Sequence, residues 1–129
     1  MVSVMDLRRR VMMQGTSSPP QPTNLIDPTK MTDRSVWWAG TVYSGYAFNS
    51  ATEKIPVTPG ATYYLNRRSD KGDGTGQQQM VSYFGSNQAY ISQTQWIDGG
   101  VTKTIPDNVY YIGITVTTAY KNDAILIEN

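Results

Sequence analysis

Short runs of alternating apolar and polar residues dominate the chain after residue 23, a pattern typical of β-strands whose two faces differ. Turn signals rich in Gly, Pro, Asn and Asp separate these runs. The predicted strands are residues 41–48, 61–66, 79–84, 101–105, 109–117 and 124–128. No helical period occurs after residue 23, so the pattern predicts an all-β domain, an antiparallel β-sandwich or barrel.

Alternation within each predicted strand also assigns a buried face. The side chains predicted to point into the core are Tyr63, Leu65, Val81, Tyr83, Tyr110, Ile112, Ile114, Val116, Ile125 and Ile127. Their neighbours Tyr64, Phe84 and Tyr111 are predicted to point outward. Because adjacent aromatic residues cannot share one face of a strand, we expect the outward rings to meet a second sheet, a partner chain or a ligand.

Residues 1–23 follow a different pattern. Val4, Leu7 and Val11 recur at a helical spacing, and a Pro-rich spacer follows at residues 15–22. A helix this short is only marginally stable in water without packing. The segment is therefore either a disordered tail or an arm that orders against a partner. The predicted anchoring residues of such an arm are Leu7, Arg8, Arg9, Arg10, Val11, Met12 and Met13. The predicted domains are an anchoring arm with its spacer, residues 1–23, and a β-sandwich, residues 24–129.

Composition narrows the chemistry open to the chain. It has no cysteine and no histidine, which excludes disulfides, thiol or histidine catalysis and ordinary zinc sites. A net charge of +1 favours neither nucleic acid nor an anionic membrane as a partner. No run approaches the roughly 18 apolar residues of a membrane span. The first residues do not have the pattern of a secretory signal either.

Catalytic and metal-binding patterns are weak. Two carboxylates would suffice for a glycosidase, but six of the ten Asp and Glu residues lie beside Gly, Pro or Asn, where Asp usually stabilises a turn. Residues 70–74 (DKGDG) lack the alternating oxygen ligands and final Glu of a calcium loop. Arg67, Arg68 and Lys71 lie near Tyr64, but no basic groove for nucleic acid accompanies them. We therefore predict a non-enzyme with no catalytic residue, no metal and no cofactor.

Sugar binding is the one ligand chemistry that the residue types favour. Sugar rings present apolar C–H faces ringed by hydroxyl groups, so they are met by flat aromatic rings and planar amides. The candidate glycan-binding residues are Trp37, Trp38, Trp96, Gln93, Gln95 and Asn49. The alternative is that the tryptophans fill the sandwich core or a subunit interface.

Five segments after residue 23 resemble, in order, a jelly-roll domain of virion proteins from phages and prophages of Gram-positive bacteria. Residues 24–30 (NLIDPTK) resemble its opening NLFDPSK, and residues 55–63 (IPVTPGATY) resemble IPVKPGTTY. Residues 81–92 (VSYFGSNQAYIS) are similar to the hairpin IAFYDSNGKFIS, and residues 104–116 are similar to TVPANAAYVRISV. Residues 123–128 match the closing D-x-x-x-L-E element in outline.

The resemblance implies a carbohydrate-binding-module-like β-sandwich of the kind carried by tail fibres, baseplates and other virion surfaces. It supplies no binding residues. Two segments depart from the shared pattern: residues 66–76 are longer and more basic than the usual turn, and residues 35–46, with the paired tryptophans, lie outside it.

Three functions are compatible with these observations. The first is a virion surface protein of the tail, baseplate or head, anchored to other virion proteins through residues 1–23 and binding host surface polysaccharide. The others are a purely structural capsid decoration or collar protein, and a freestanding carbohydrate-binding module. We expect a homo-oligomer, with a trimer first and a dimer or decorated lattice next, because linked copies of a weak sugar site gain avidity. Without a secretory signal, such a protein would be made in the host cytoplasm and would reside on the phage particle.

Overall fold

The computed structural model describes residues 23–66, 80–96 and 100–129. The strands in these ranges are β1 (Thr32–Asp33), β2 (Ser35–Trp38), β3 (Thr41–Ser44), β4 (Asn49–Ala51), β5 (Ile55–Pro56), β6 (Thr62–Asn66), β7 (Met80–Phe84), β8 (Tyr90–Gln95), β9 (Val101–Thr104), β10 (Tyr111–Gly113), β11 (Thr115–Thr117) and β12 (Ile125–Glu128). Short 3-10 segments lie at Pro28–Lys30 and Thr118–Asp123. All the strand pairs are antiparallel, which confirms the predicted all-β antiparallel sandwich. The predicted anchoring residues within residues 7–13, and the basic loop at residues 67–71, lie outside the described residues.

The central layer of the sandwich consists of two hydrogen-bonded ladders, which are joined where β10 of one leads directly into β11 of the other. One ladder has the strand order β5-β10-β7-β8, and the other has the order β1-β4-β11. Only Ile114 separates β10 from β11, and its carbonyl accepts a hydrogen bond from Thr52 N–H at 2.9 Å. The N–H of Ile114 donates in turn to Thr52 Oγ1 at 3.0 Å. The two ladders therefore continue into one another at this point.

The principal core joins the central layer to the sheet β12-β6-β9. Most of the inward residues predicted from alternation are confirmed as buried: Tyr63, Leu65, Val81, Tyr83, Ile112, Ile114 and Val116. Trp96 and Leu126 complete the centre of this cluster. Full burial of each large apolar side chain contributes about 1.5–3 kcal/mol, so this core is the main source of stability.

The hairpin β2–β3 forms a third layer on the opposite face of the central layer. Trp37 packs there with Ala51 and Phe84. Its backbone N–H donates to Thr115 Oγ1 at 2.9 Å, and its Nε1 donates to the Thr52 carbonyl at 2.8 Å. Both faces of the central strands are therefore covered, and this explains why residues 81–84 and 112–117 are buried without interruption.

Covering the second face overturns the prediction for Phe84. Alternation places Phe84 outward, but it is 1% exposed because the hairpin β2–β3 packs over it. Tyr111, also predicted outward, is half-buried against the same cluster. Tyr64 is half-buried as well.

The prediction of burial is also wrong for three residues, Ile125, Ile127 and Tyr110. Ile125 is 38% exposed and Ile127 is half-buried, because Leu126 pairs with the buried Leu65 and therefore takes the core-facing position in β12. Three consecutive apolar residues do not reveal which of them faces inward. Tyr110 is 43% exposed because it precedes β10, so the alternation of that strand does not extend to it.

Candidate functional site

The turn of the hairpin β2–β3 docks on strand β8, which is paired only with β7 in the described sheet. Ala39 and Gly40 form this turn with φ angles of 49° and 80°, as a two-residue type I′ turn requires. Ala39 N–H donates to Gln93 Oε1 at 2.8 Å, and Gly40 N–H donates to Ser82 Oγ at 3.1 Å. These two hydrogen bonds fix the turn to the sheet beneath it.

Two exposed aromatic rings adjoin the turn. A Cβ atom on Gly40 would lie only 2.6 Å from the ring of Tyr90, so glycine is required for that ring to approach the turn. Tyr90 packs edge-on against Phe84 with ring centroids 6.3 Å apart, and Phe84 packs edge-on against Trp37 at 5.4 Å. Tyr90 remains 43% exposed and Trp38 remains 39% exposed. Tyr90 is therefore supported from below by a buried aromatic column.

A β-bulge decides which side chains of β8 face the hairpin. Gln93 pairs with Ser82 and Tyr90 pairs with Phe84, which leaves Ile91 as the additional residue. Simple alternation would place Tyr90 and Gln93 on opposite faces of the strand. The bulge brings them to the same face. We use the name turn surface for Gly40 and the residues of β8 beside it, Tyr90 and Gln93, together with the exposed Trp38 that precedes the turn in the chain.

The residues predicted to bind sugar separate into two groups. Trp96 is fully buried, and its Nε1 donates to the Tyr83 hydroxyl at 2.9 Å. Trp37 and Asn49 are 5% and 3% exposed. None of these three can stack on a sugar, and the tryptophans take the core role that was the alternative for them. The residues that stay at the surface are Trp38, Gln93 and Gln95.

The split between the two tryptophans of β2 follows from strand geometry. Neighbouring side chains of a strand point to opposite faces, so only one of Trp37 and Trp38 can enter the layer beneath. Tyr90 belongs to the turn surface but was not among the glycan-binding residues predicted from the sequence. The signal that would have found it is the bulge, which depends on pairing with β7 and is not encoded in the spacing of β8.

The chemistry of the turn surface suits a neutral polar ligand. Gln93 Oε1 is occupied by Ala39, so the Nε2 group is the part of this amide that remains to donate to a ligand. The exposed rings of Trp38 and Tyr90 supply flat apolar faces. The four residues themselves carry no carboxyl or ammonium group, and the ammonium of Lys54 lies 4.7 Å from the centre of the Phe84 ring that supports Tyr90. The residues of the turn surface can therefore stack on a ring and donate a hydrogen bond.

Two ionisable groups with shifted pKa values serve the fold away from this surface. Hydrogen bonds from Lys121 and Ser50 lower the pKa of Asp33, which joins β1 to β4 and to the 3-10 segment Thr118–Asp123. Hydrogen bonds from the hydroxyl and N–H of Thr29 lower the pKa of Asp27, which begins the 3-10 segment Pro28–Lys30.

Burial raises the pKa of Tyr83, whose hydroxyl accepts from Trp96 inside the core. Within residues 23–66, 80–96 and 100–129, no group of three or more acidic residues is placed to hold a metal ion.

No protein-family model matches the chain. The comparisons with curated proteins and with solved structures found no match either. In the part of the chain that the structure describes, no helix combines the length and apolar character needed to cross a membrane.

Proposed function

We propose that this protein is a non-enzymatic surface protein of a phage virion, attached through residues 1–23 and displaying its sandwich outward. The observation that carries the proposal is the ordered resemblance of five segments to jelly-roll domains of virion proteins. The first and last of these segments meet in the fold, since Asn24 Oδ1 accepts from Leu126 N–H and Asn24 Nδ2 donates to Ala124 O, both at 2.9 Å. This contact joins the start and the end of the proposed sandwich domain, an arrangement that suits display on a short arm.

The proposed ligand of the displayed domain is a host surface polysaccharide, bound at the turn surface. The exposed rings of Trp38 and Tyr90 and the partly exposed amide of Gln93 support this choice. Display of several copies on one particle would add avidity to the affinity of a single site.

Binding of purified host cell-wall polysaccharide by the isolated protein tests the ligand. Trp38→Ala should weaken binding about tenfold, equivalent to about 1.4 kcal/mol, because one stacking face is removed. Tyr110→Ala is the matched control, since Tyr110 is 43% exposed and lies outside the turn surface. Equal binding by both variants and the wild type would remove the turn surface from the proposal.

Attachment to the particle is tested separately. Virions purified on a density gradient should contain the protein by mass spectrometry and should bind an antibody raised against residues 24–129 in immunogold images. Deletion of residues 1–23 should abolish particle association and leave a cooperative thermal transition of the isolated sandwich. Unchanged copy number on particles that carry the deletion would overturn the anchoring role.

A purely structural role as a capsid decoration or collar protein is the second candidate. The observation that favours it is the set of exposed apolar residues on and after the hairpin: Trp38, Val42, Tyr43 and Phe48. Such a protein would be found on particles and would bind no polysaccharide. A freestanding carbohydrate-binding module would give the opposite pair of results.

A further inference from the structure

Strand β3 presents an open edge to solvent. Among the described strands it pairs with β2 alone, and each of its four residues is exposed. Gly45 N–H donates to Arg34 O, so the pairs 34/45, 36/43 and 38/41 are the hydrogen-bonded ones in this hairpin. The backbone groups of Val42 and Ser44 therefore point away from β2. They have no hydrogen-bond partner among the described residues.

Other exposed edges in the described ranges carry features that block strand addition. These features are Pro56 in β5, the bulge at Ile91 in β8, Lys103 in the middle of β9, Leu25 hydrogen-bonded along β12 and the two-residue length of β1. β3 has none of them. Its sequence, Thr-Val-Tyr-Ser, contains no charge and no proline, and its pairing with β2 shows no register shift.

We propose that β3 is a homodimerisation edge, at which β3 of a second copy of the chain pairs antiparallel with it. The two copies are related by a two-fold axis that lies midway between their Tyr43 residues. Such an axis lies normal to the sheet, and directly opposed side chains share one face of the sheet. The residue at the centre must therefore lie opposite the same residue of the second copy. With Tyr43 at the centre, Val42 pairs with Ser44 of the second copy and Ser44 pairs with its Val42. This register satisfies the N–H and C=O groups of both residues in both copies.

The side chains support a second copy as the occupant of this edge. Tyr43, 48% exposed, meets its own symmetry mate, and aromatic pairs across antiparallel strands are favourable. No charged residue of β3 faces a like charge, since the strand has none. The result is a four-stranded sheet made of two hairpins. A strand this short buries much less than the roughly 800 Å² per partner of a standard interface, so the free dimer should form only at high concentration.

This proposal deepens the homo-oligomer expected above by naming its interface. Strand pairing of β3 with itself is isologous and closes as a dimer, whereas a three-fold ring needs a different patch on each partner. It therefore replaces the trimer by a dimer. It rests on no virion role, because cross-linking of the purified chain and detection of the chain on particles are independent measurements.

Single-cysteine cross-linking of the full chain tests the register, and the chain contains no cysteine of its own. Tyr43→Cys should form a disulfide-linked dimer in air with a copper–phenanthroline catalyst, because centrally facing Cα atoms lie about 4.5 Å apart in a non-hydrogen-bonded pair, within disulfide range. Thr41→Cys is the matched control on the same strand. Its Cα would be offset from its symmetry mate by four residues, about 14 Å.

Each outcome of the cross-linking decides the proposal. A dimer formed by Tyr43→Cys and not by Thr41→Cys supports it. Cross-linking of Val42→Cys in preference to Tyr43→Cys would overturn the register, and equal reactivity of all three variants, or none, would overturn the interface. Circular dichroism confirms that each variant is folded.

Sedimentation of the untagged protein over a concentration series gives a second measurement. The wild type and Tyr43→Phe should shift from monomer to dimer, whereas Tyr43→Lys should stay monomeric because two ammonium groups would face one another at the axis. A monomer at every concentration, or a trimer, would overturn the two-fold interface. Pairing of β3 with a strand of a different protein would give the monomer result.

Discussion

Individual residues hold the third layer in place through close approach to the backbone. A Cβ atom on Gly113 would lie 2.5 Å from Trp37 Cε2, so the indole rests directly on the main chain of β10. The same ring donates through Nε1 to the Thr52 carbonyl at 2.8 Å. Because Trp37 is fixed at both points, it has little freedom to move aside for an added methyl group.

Gly113→Ala should therefore destabilise the domain by about 1–3 kcal/mol, the usual cost of overpacking a core. Urea denaturation of the purified chain measures the change. Gly85→Ala is the matched control, because its added Cβ would meet other atoms only at 3.4 Å or more. In a Trp37→Ala background the cost of Gly113→Ala should disappear. A cost that persists there would show that the indole is not its cause.

At the same scale, Asp33 predicts a dependence of stability on pH. Its folded-state pKa is lowered by hydrogen bonds from Lys121 at 2.9 Å and from Ser50 at 2.7 Å. A lowered pKa means that the ionised form is favoured in the folded state, so the stabilisation is present above the unfolded pKa, about 3.9. It is lost as the pH falls through the folded-state pKa.

Asp33→Asn should thus reduce stability at pH 7 by less than about 1 kcal/mol, since the ion pair is solvent-exposed and screened. The difference from wild type should vanish in thermal melts at acidic pH. In a Lys121→Met background the effect of Asp33→Asn should be smaller, because only Ser50 remains to hold the carboxylate. A difference that is constant over the whole pH range would contradict the linkage.

At the scale of the element, register decides which residues of a strand are buried. Leu126 in β12 lies opposite Leu65 in β6, and both are about 1% exposed or less. Ile125 lies opposite Asn66 and is 38% exposed. Two adjacent residues of similar volume therefore occupy opposite faces of one strand.

Leu126→Ala should cost about 2–5 kcal/mol, as large-to-small substitutions in a packed core do. Ile125→Ala should cost under about 1 kcal/mol, because most surface substitutions have small effects. Urea denaturation of the two variants under the same conditions measures both. Equal losses, or a larger loss for Ile125→Ala, would mean that β12 pairs with β6 in a register shifted by one residue.

At the scale of the whole molecule, other layers cover both faces of the central layer. The principal core lies on one side of the central layer, and the hairpin β2–β3 covers the other side. The carboxylates of Asp27 and Asp33 bind neighbouring groups of the fold. The turn surface offers aromatic rings and an amide but no acid–base pair.

Because we propose a non-enzymatic role, we predict that the purified chain releases no reducing sugar from host cell walls above the background rate. The assay needs a wall hydrolase as a positive control and the sandwich, residues 24–129, as a second sample. Turnover that is lost on substitution of a single carboxylate of this chain would overturn the non-enzymatic assignment.

The alternation of apolar and polar residues was enough to predict the fold class and much of the principal core. Alternation requires only that each strand have one apolar face, and Tyr63, Leu65, Val81 and Ile112 confirm that face. Composition likewise excludes disulfides, thiol or histidine catalysis and ordinary zinc sites, because the chain has no histidine and no cysteine in any fold.

Tertiary structure decided which of the remaining aromatic residues are available at the surface. The second face of β7 is buried because a distant hairpin packs on it, and no local pattern reports that contact, so Phe84 was placed outward in error. A bulge relative to β7 turns Tyr90 toward Gln93. The edge of β3 is likewise open because no other strand of the described residues pairs with it. Alternation is a property of one strand, whereas burial and pairing are properties of the strands around it.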